Sequence, residues 1–269
     1  MRKIAIITGA SSGMGAEFAR QLAKKDSSLE IWLIARSLEK LNKVKSEIEE
    51  WLLSLSKSIK IKVFPIDLSG SNGALRFKTI LETEKLSGPY GISCLINNAG
   101  FGTYGPFTES PAEREMEMID LNCTSLTGIC AYSIPYMEKS SIIINVASLA
   151  AFLPLGNFAV YAATKAYVLS FTVALAAELK DRGIKVSALC PGSVSTDFAN
   201  VASNGARKEV LHGKDPIKVV AHCLKKAKNG KKIILWAPKW KFTAFMSSFI
   251  GRYLGARFTY LYNKRPYKK

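Results

Sequence analysis

Short apolar runs rich in β-branched residues alternate along this chain with longer stretches whose apolar residues recur every three or four positions. The short runs predict seven β-strands, at Lys3–Thr8, Glu30–Ala35, Ile59–Ile66, Ile92–Ile96, Ser141–Val146, Ile184–Leu189 and Lys231–Trp236. The longer stretches predict helices at Ala16–Lys25, Leu38–Leu55, Gly73–Leu86, Ser110–Met137, from about Tyr161 to Asp181, and at Pro216–Asn229. This alternation predicts an α/β fold in a single domain, a doubly wound seven-stranded parallel sheet with helices on both faces.

The last thirty or so residues follow the final predicted strand and have their own pattern. Apolar residues recur there at steps of three and four and predict one amphipathic helix, with a stripe of Phe242, Phe245, Met246, Phe249, Ile250, Tyr253, Leu254, Phe258 and Leu261. We therefore divide the chain into a domain at 1–238 and a C-terminal extension at 239–269. The stripe has three open uses: packing on its own domain or a second subunit, a lid over a pocket, or peripheral contact with an anionic membrane through 240–262.

Charge is concentrated in the same part of the chain. Residues 216–269 hold 14 of the 38 Lys and Arg side chains and no Asp or Glu, which leaves 24 basic and 21 acidic side chains in residues 1–215. A basic tail suits an anionic membrane, an anionic substrate or nucleic acid, and equally serves as a solvated surface. Without a recognised nucleic-acid-binding module, we expect no specific nucleic-acid partner.

Composition narrows the class of protein. A hydrophobic content of 48% with 22% charged residues is typical of a globular protein with a sizeable core. No apolar run reaches 18 residues, so no spanning helix is predicted. The five cysteines form no C-x-x-C pair, which favours reduced thiols in a cytoplasmic protein. The two histidines have no partner at metal-ligand spacing, and we expect no metal site.

A glycine-rich turn joins the first strand to the first helix. Gly9, Gly13 and Gly15 follow Thr8 directly and precede the helical pattern that begins at Ala16. Glycines let the backbone approach a pyrophosphate closely, and the free amides of a helix N-terminus attract its charge. The turn therefore predicts a dinucleotide-binding site.

The end of the second strand indicates which dinucleotide. Nicotinamide-binding folds that use NAD place an acidic residue here, which bonds the adenosine ribose and repels a 2′-phosphate. This chain has Ala35, Arg36 and Ser37 instead. A cation and a hydroxyl at this position favour NADP(H).

Polar residues at three other places suggest a catalytic centre. Tyr161 and Lys165 are four residues apart, so on a helix they share one face, and a fixed cation beside a phenol favours proton transfer. Ser148 follows the fifth strand and could hold a carbonyl oxygen. Asn122 lies inside a predicted helix that it would destabilise unless its side chain had a role.

Taken in order, these motifs resemble the short-chain dehydrogenase/reductase superfamily in its one-domain form. The resemblance runs from about residue 3 to 236 and rests on T-G-A-S-S-G-M-G at 8–15, Asp67, N-N-A-G at 97–100, Asn122, Ser148, Y-A-A-T-K at 161–165 and P-G at 191–192. Met14 stands where the family most often has isoleucine. The resemblance implies a Rossmann-type fold and hydride transfer between a nicotinamide cofactor and a carbonyl or alcohol.

The resemblance also implies roles for individual residues. Tyr161 would be the general acid in reduction, Lys165 would bind the nicotinamide ribose and lower the pKa of Tyr161, Ser148 would donate to the substrate oxygen, and Asn122 would hold a water that relays protons. Besides Arg36, Ser37, Tyr161 and Lys165, the cofactor would contact Gly9, Ser11, Ser12, Gly13, Met14, Asp67, Leu68, Asn98, Ala99, Gly100, Pro191, Gly192, Val194 and Thr196.

The expected substrate pocket is apolar. Substrates in such folds bind beyond the carboxyl ends of the strands, where the chain offers Ser148, Leu149, Phe152, Leu155, Tyr161 and Phe198, with Phe101, Leu153 and Phe158 nearby. This lining favours a lipophilic ketone or alcohol, of the hydroxysteroid or 3-oxoacyl type, and the basic tail favours an anionic one. Family habit predicts a homodimer or homotetramer. The alternative is a catalytically silent relative that binds the cofactor as a sensor or scaffold.

Overall fold

The computed structural model of the protein describes residues 1–26, 28–208, 210 and 212–268. Its strands are β1 (Arg2–Thr8), β2 (Leu29–Ala35), β3 (Lys60–Pro65), β4 (Tyr90–Asn97), β5 (Ile142–Val146), β6 (Lys185–Leu189) and β7 (Ile233–Ile234). They form one parallel sheet in the order β3-β2-β1-β4-β5-β6-β7. The predicted seven-stranded parallel sheet is thus confirmed, although β7 has two residues rather than the six expected.

Helices cover both faces of this sheet, as predicted. They are α1 (Gly13–Lys25), α2 (Leu38–Leu53), α3 (Gly70–Leu86), α4 (Ala112–Ile119), α5 (Leu126–Ser133), α6 (Ala159–Glu178), α7 (Phe198–Ala202), α8 (Pro216–Lys228), α9 (Pro238–Met246) and α10 (Arg252–Tyr262). One buried cluster joins the sheet to α1, α2 and α8, and a second joins it to α3, α5 and α6. The order of strands reverses between β1 and β4, so the turns after these two strands meet at the carboxyl edge, where ligands of such sheets bind.

The predicted continuous helix Ser110–Met137 is wrong in one respect. A π-helical segment, Asp120–Ser125, separates α4 from α5, and short 3₁₀ turns flank the pair. The irregular segment contains Asn122, the residue that the sequence marks as unfavourable in a helix. Such π-helical turns occur often at functional sites.

The loop at Asn200–Gly213, which precedes α8, begins within helix α7. Two of its residues, Glu209 and Leu211, lie outside the described part of the chain. A single bridge between Val194 and Lys214 closes this loop against the carboxyl edge of the sheet. The loop therefore borders the predicted substrate side.

The C-terminal extension differs most from its prediction. It forms two helices, α9 and α10, because the chain leaves the helix over residues 247–251, where serine and glycine disfavour helical backbone. The predicted apolar stripe is exposed except at Met246, and the buried side consists of Trp240, Ala244 and Gly255. A Cβ atom on Gly255 would lie 2.6 Å from Leu153 Cδ2, so small residues here allow close packing.

Helix α6 alone, within the described ranges, has the length and apolar composition to cross a membrane. It is a core helix here, with Lys165 and Thr172 buried and Val168 packed in a sheet cluster. A buried core helix of this kind meets the same criteria of length and composition.

Candidate active site

The carboxyl edge of the central strands brings together the four residues predicted to be catalytic. Ser148 follows β5 by two residues, Asn122 lies in the π-helical segment, and Tyr161 and Lys165 lie one turn apart on α6. The Lys165 ammonium nitrogen is 5.7 Å from the centre of the Tyr161 ring. The four-residue spacing of Tyr161 and Lys165 therefore places both side chains on the same face of α6, as predicted.

Tyr161 is a buried phenol in this arrangement. Burial raises the pKa of its hydroxyl well above the ordinary value, while a hydrogen bond with Ser148 and the charge of Arg265 lower it. The net pKa is raised, so Tyr161 carries its proton at neutral pH. A positioned, protonated phenol is a general acid for an alkoxide that forms beside it. The expected lowering of this pKa by Lys165 remains a prediction.

Lys165 is 5% exposed and has a carbonyl rather than a carboxylate as its hydrogen-bond acceptor. Its Nζ donates to Val146 O, at the end of β5, over 2.8 Å. Burial lowers the pKa of Lys165 to about 8, while the thiols of Cys123 and Cys190 raise it in part. The ammonium is therefore fixed in direction and has further protons for sugar hydroxyls.

Ser148 connects Tyr161 to the loop after β6. Its hydroxyl donates to Pro191 O over 3.4 Å and accepts from Ala150 N over 3.1 Å, and its interaction with Tyr161 lowers the pKa of that phenol in part. Ser148 thereby stands between the phenol and the Pro191–Gly192 turn. The position suits a donor to an oxygen that lies against Tyr161.

Asn122 is 1% exposed and fully engaged. Its Nδ2 donates to Phe101 O over 2.9 Å and to Thr164 Oγ1 over 3.1 Å, and its Oδ1 accepts from Phe101 N over 3.1 Å. These bonds hold the loop after β4 against α6. A Cβ atom on Gly100 would lie 2.7 Å from Asn122 Oδ1, so the approach requires glycine. The proton relay through Asn122 remains a prediction.

The glycine-rich turn lies directly beside the end of β4. Gly9 and Gly13 have φ values of +64° and +53°, and a Cβ atom on Gly15 would lie 2.1 Å from Gly9 O. Asn98 Nδ2 donates to the carbonyls of Thr8 and Gly9, each over 3.2 Å. The structure thus brings one group of predicted cofactor residues together, namely Gly9, Ser11, Ser12, Gly13, Met14, Asn98, Ala99 and Gly100.

Residues predicted for the two ends of the cofactor flank this turn. Arg36 is exposed at the end of β2, beside β1, and Ser37 accepts from Lys40 N over 3.3 Å and so caps α2. Asp67 accepts from Ser69 N over 3.0 Å, and Leu68 is buried. At the other end, a Cβ atom on Gly13 would lie 3.2 Å from Thr196 Cγ2. Pro191, Gly192 and Val194 lie on the same loop as Thr196.

Aromatic side chains surround Tyr161 on the substrate side. Phe158 stacks on the Tyr161 ring at 4.1 Å between centroids, and Phe198 is tilted against it at 5.4 Å. Leu155 packs against the same cluster, whereas Leu149 and Phe152 pack against the two sheet cores. Of the predicted substrate residues, the structure therefore gathers Ser148, Leu155, Tyr161 and Phe198 and leaves Leu149 and Phe152 apart.

A surface depression of about 490 Å³ lies far from these residues, at the amino ends of β1, β2 and β3, between Arg2, Glu30 and Lys60. Ligands of parallel sheets bind at the opposite, carboxyl edge. The chemistry of the side chains, rather than the size of the depression, therefore locates the site at Tyr161.

Sequence reasoning missed Arg265. Its guanidinium carbon is 4.9 Å from the centre of the Phe158 ring, and its Nη1 donates to Gly156 O over 3.2 Å. Asn157, at φ +60°, donates to the carbonyls of Thr259, Tyr260 and Asn263 and so holds α10 in place. The Gly-Asn pair at 156–157 signals a left-handed turn, but no local pattern links it to a residue more than a hundred positions later.

The fold and this geometry agree with the comparison to known families. The family model described as short chain dehydrogenase matches residues 3–206 of this chain. The match covers most of the chain, so this protein belongs to the short chain dehydrogenase family.

Two curated relatives and two solved structures are similar to this chain. A very-long-chain 3-oxoacyl-CoA reductase of Ajellomyces capsulatus is 30% identical over 97% of this chain and 75% of its own length. The 17-beta-hydroxysteroid dehydrogenase type 3 of Mus musculus is 30% identical over 77% of this chain and 65% of its own length. A short-chain dehydrogenase from Sphingobium yanoikuyae, in complex with NADPH, is 25% identical, covers 93% of this chain and 94% of its own, and has a TM-score of 0.75. A Burkholderia phymatum enzyme in complex with NAD shares the fold, with 22% identity, a TM-score of 0.77 and coverage of 91% and 92%.

Proposed function

We propose that this oxidoreductase is NADP(H)-dependent and interconverts a lipophilic ketone and its secondary alcohol by hydride transfer. The observation that carries the proposal is the buried, protonated Tyr161 between Ser148 and Lys165 at the carboxyl edge of the sheet. The relatives named for 3-oxoacyl-CoA and 17-beta-hydroxysteroid chemistry support a lipophilic substrate.

The residues present fit a nicotinamide cofactor. The glycine-rich turn leaves no room for a Cβ atom at Gly15, and Lys165 presents its ammonium with no carboxylate as acceptor. When bound, the cofactor supplies the hydride. Ser148 orients the carbonyl oxygen, and Tyr161 donates its phenolic proton to the oxygen as negative charge develops there. Lys165 holds ribose hydroxyls and favours the phenolate that remains.

Arg36 supports NADP(H) over NAD(H). No acidic side chain stands at the end of β2, and the exposed Arg36 offers a guanidinium to a 2′-phosphate. We expect Arg36→Glu to lower kcat/KM for NADPH about 10- to 100-fold and to leave that for NADH unchanged or higher, since an ion pair becomes a repulsion. The same change at the exposed Arg76 is the control. A parent enzyme that is faster with NADH would contradict the assignment.

Arg265 supports a substrate that carries a negative charge beside its apolar body. Its guanidinium is half-buried against Phe158, and it donates a hydrogen bond to the carbonyl of Gly156 rather than to a carboxylate. Arg207 also lies near Tyr104, whose ring centre is 5.8 Å from the Arg207 guanidinium and 5.9 Å from that of Arg265. A carboxylate or phosphate would satisfy both cations.

The charge preference is tested with a matched pair of ketones, one with a terminal carboxylate and one with its methyl ester. We expect Arg265→Met to lower kcat/KM for the carboxylate at least tenfold more than for the ester. Arg257→Met, at an exposed arginine of the same segment, should change neither. Equal losses for both ketones would show that Arg265 only supports the fold.

The reaction itself is tested by NADPH oxidation over a panel of steroid ketones and 3-oxoacyl thioesters. We expect Tyr161→Phe to lower the rate by about 10²- to 10⁴-fold, the typical contribution of a general acid. Tyr167→Phe is the matched control, since this tyrosine on the same helix is 42% exposed and pairs with Thr127. Background rates in both the parent and Tyr161→Phe would favour the silent, cofactor-binding sensor instead.

A further inference from the structure

The C-terminal segment, residues 238–268, turns its large apolar side chains outward. We call these side chains the outer face, and they are between 41% and 78% exposed: Phe242, Phe245, Phe249, Ile250, Tyr253, Leu254, Phe258, Leu261 and Tyr262. Phe245 packs edge-to-face against Phe249 at 5.1 Å between centroids, and Phe258 is tilted against Tyr262 at 5.0 Å, so these rings contact one another rather than the core. A soluble monomer rarely exposes so much contiguous apolar surface unless something covers it.

Both helices of the segment pack on the same loop. The sides of α9 and α10 that face away from this loop are therefore exposed on one surface. Helix α9 lies against the turn Leu149–Phe152, and α10 lies against Leu153 and Gly156. A Cβ atom on Gly156 would be 2.5 Å from Tyr260 Cβ, which shows how closely α10 approaches. The inner side is thus already occupied by the domain, and the outer face is free for another surface.

Positive charge surrounds the outer face. Residues 238–268 contain no acidic side chain, and their cations are Lys239, Lys241, Arg252, Arg257, Lys264, Arg265 and Lys268. All of these except Arg265 are exposed. Aromatic and aliphatic side chains bordered by lysine and arginine are the pattern of helices that lie in the interface of an anionic bilayer.

We propose that the outer face docks on a membrane surface rich in anionic lipid, with α9 and α10 lying in the plane of the interface. A second copy of the chain fits less well. A two-fold interface would place two such faces against each other, each with the same positive border and no carboxylate to neutralise it. An anionic bilayer supplies both the apolar layer and the opposite charge.

The docked orientation has a consequence for the substrate side. The inner side of α10 is held by Asn157, next to Phe158, and the chain that follows α10 places Arg265 over that ring. A bilayer on the outer face would therefore lie one helix away from the substrate cluster. This consequence rests on the proposed function, whereas the docking itself rests only on the outer face and its charge.

Sedimentation with vesicles tests the proposal on the full chain. Vesicles of phosphatidylcholine alone are compared with vesicles that contain about one third phosphatidylserine. We expect the parent to bind the anionic vesicles at least tenfold more tightly than the neutral ones, and to release them as salt rises. Replacing Phe245, Phe249 and Phe258 together by serine should reduce binding at least tenfold.

Two controls separate this result from others. Phe107→Ser removes an equally exposed phenylalanine outside the segment and should leave binding unchanged. The mass of each variant in solution is measured by light scattering. A parent that stays in the supernatant with anionic vesicles would overturn the proposal, and so would a parent oligomer that the triple variant converts to monomer, since the outer face would then contact a second copy. Vesicle binding with no ketone reductase activity would leave the docking intact and contradict only the proposed function.

Discussion

The sheet interior and the C-terminal segment use the same kinds of side chain in opposite ways. In the interior, Phe18 is fully buried and Lys165 is a buried cation held by a carbonyl. In the segment, Phe245 is 62% exposed and the cations Lys239 and Lys241 are in solvent. The interior thus owes its stability to apolar burial and contains the charge of Lys165 because the proposed reaction requires it. The outer face of the segment, by contrast, contributes little to folding. Side chains that the fold does not need are available for another surface.

The largest expected difference comes from one substitution made in both regions. Phe18→Ala should destabilise the protein by about 3–5 kcal/mol, because it removes a buried ring and leaves a cavity. Phe245→Ala should change stability by less than about 0.5 kcal/mol, because the ring is already in water. Urea unfolding of both variants measures the difference. Similar losses would show that the outer face is packed in solution and would break the comparison.

Lys165 provides the second test, because its replacement is expected to stabilise the fold. Burial lowers its pKa in the folded protein to about 8 from 10.5. The unfolded chain therefore binds this proton more tightly, so the charged lysine destabilises the fold below pH 8 and the penalty fades as the pH rises towards 10.5. Lys165→Met should stabilise the cofactor-free protein by up to about 3 kcal/mol at neutral pH while it abolishes turnover.

Unfolding of parent and Lys165→Met at pH 7 and at pH 10 checks this sign. The two should differ at the lower pH and converge at the higher one. A variant that is less stable than the parent at pH 7 would mean that the hydrogen bond from Lys165 to Val146 outweighs the cost of burial.

The smallest of the three effects concerns the attachment of the segment. A Cβ atom on Gly156 would lie 2.5 Å from Tyr260 Cβ and 2.7 Å from Ala256 O, so Gly156→Ala should cost about 1–3 kcal/mol by overpacking. The strain falls on α10, and we expect faster proteolysis within residues 247–268 while the rest of the chain stays intact. Unchanged cleavage would show that the segment is not held through this contact.

The sheet and the turn between β1 and α1 were predictable because their signals are local. Buried parallel strands are continuous apolar runs, and Gly9, Gly13 and Gly15 stand where a strand meets a helix. The spacing of Tyr161 and Lys165 likewise became a shared helix face. Asn122 was marked as unfavourable in a helix, but its hydrogen bonds to Phe101 and Thr164 join residues far apart in sequence, which no local pattern indicates.

The segment was harder to predict because both sides of its helices are apolar. Periodicity identified the stripe of Phe242, Phe245 and Phe258 and left its use open, whereas the structure exposes these rings and buries Trp240, Ala244 and Gly255 instead. Close packing against Leu153 requires small residues, and the hydrophobic pattern does not distinguish size. Arg265 was missed for a related reason, since only the return of the chain over Phe158 brings it to the site.

Transfer of a label tests the central claim most directly. The enzyme is supplied with NADPH in which deuterium replaces both hydrogens at the reactive carbon of the nicotinamide, together with the most active ketone of the panel, and the alcohol is analysed by mass spectrometry. We predict one deuterium on the carbinol carbon in the product of the parent and of Tyr167→Phe, and about 10²- to 10⁴-fold less of this product over the same time with Tyr161→Phe. Unlabelled alcohol, or equal labelled product from Tyr161→Phe, would contradict hydride transfer with Tyr161 as the proton donor.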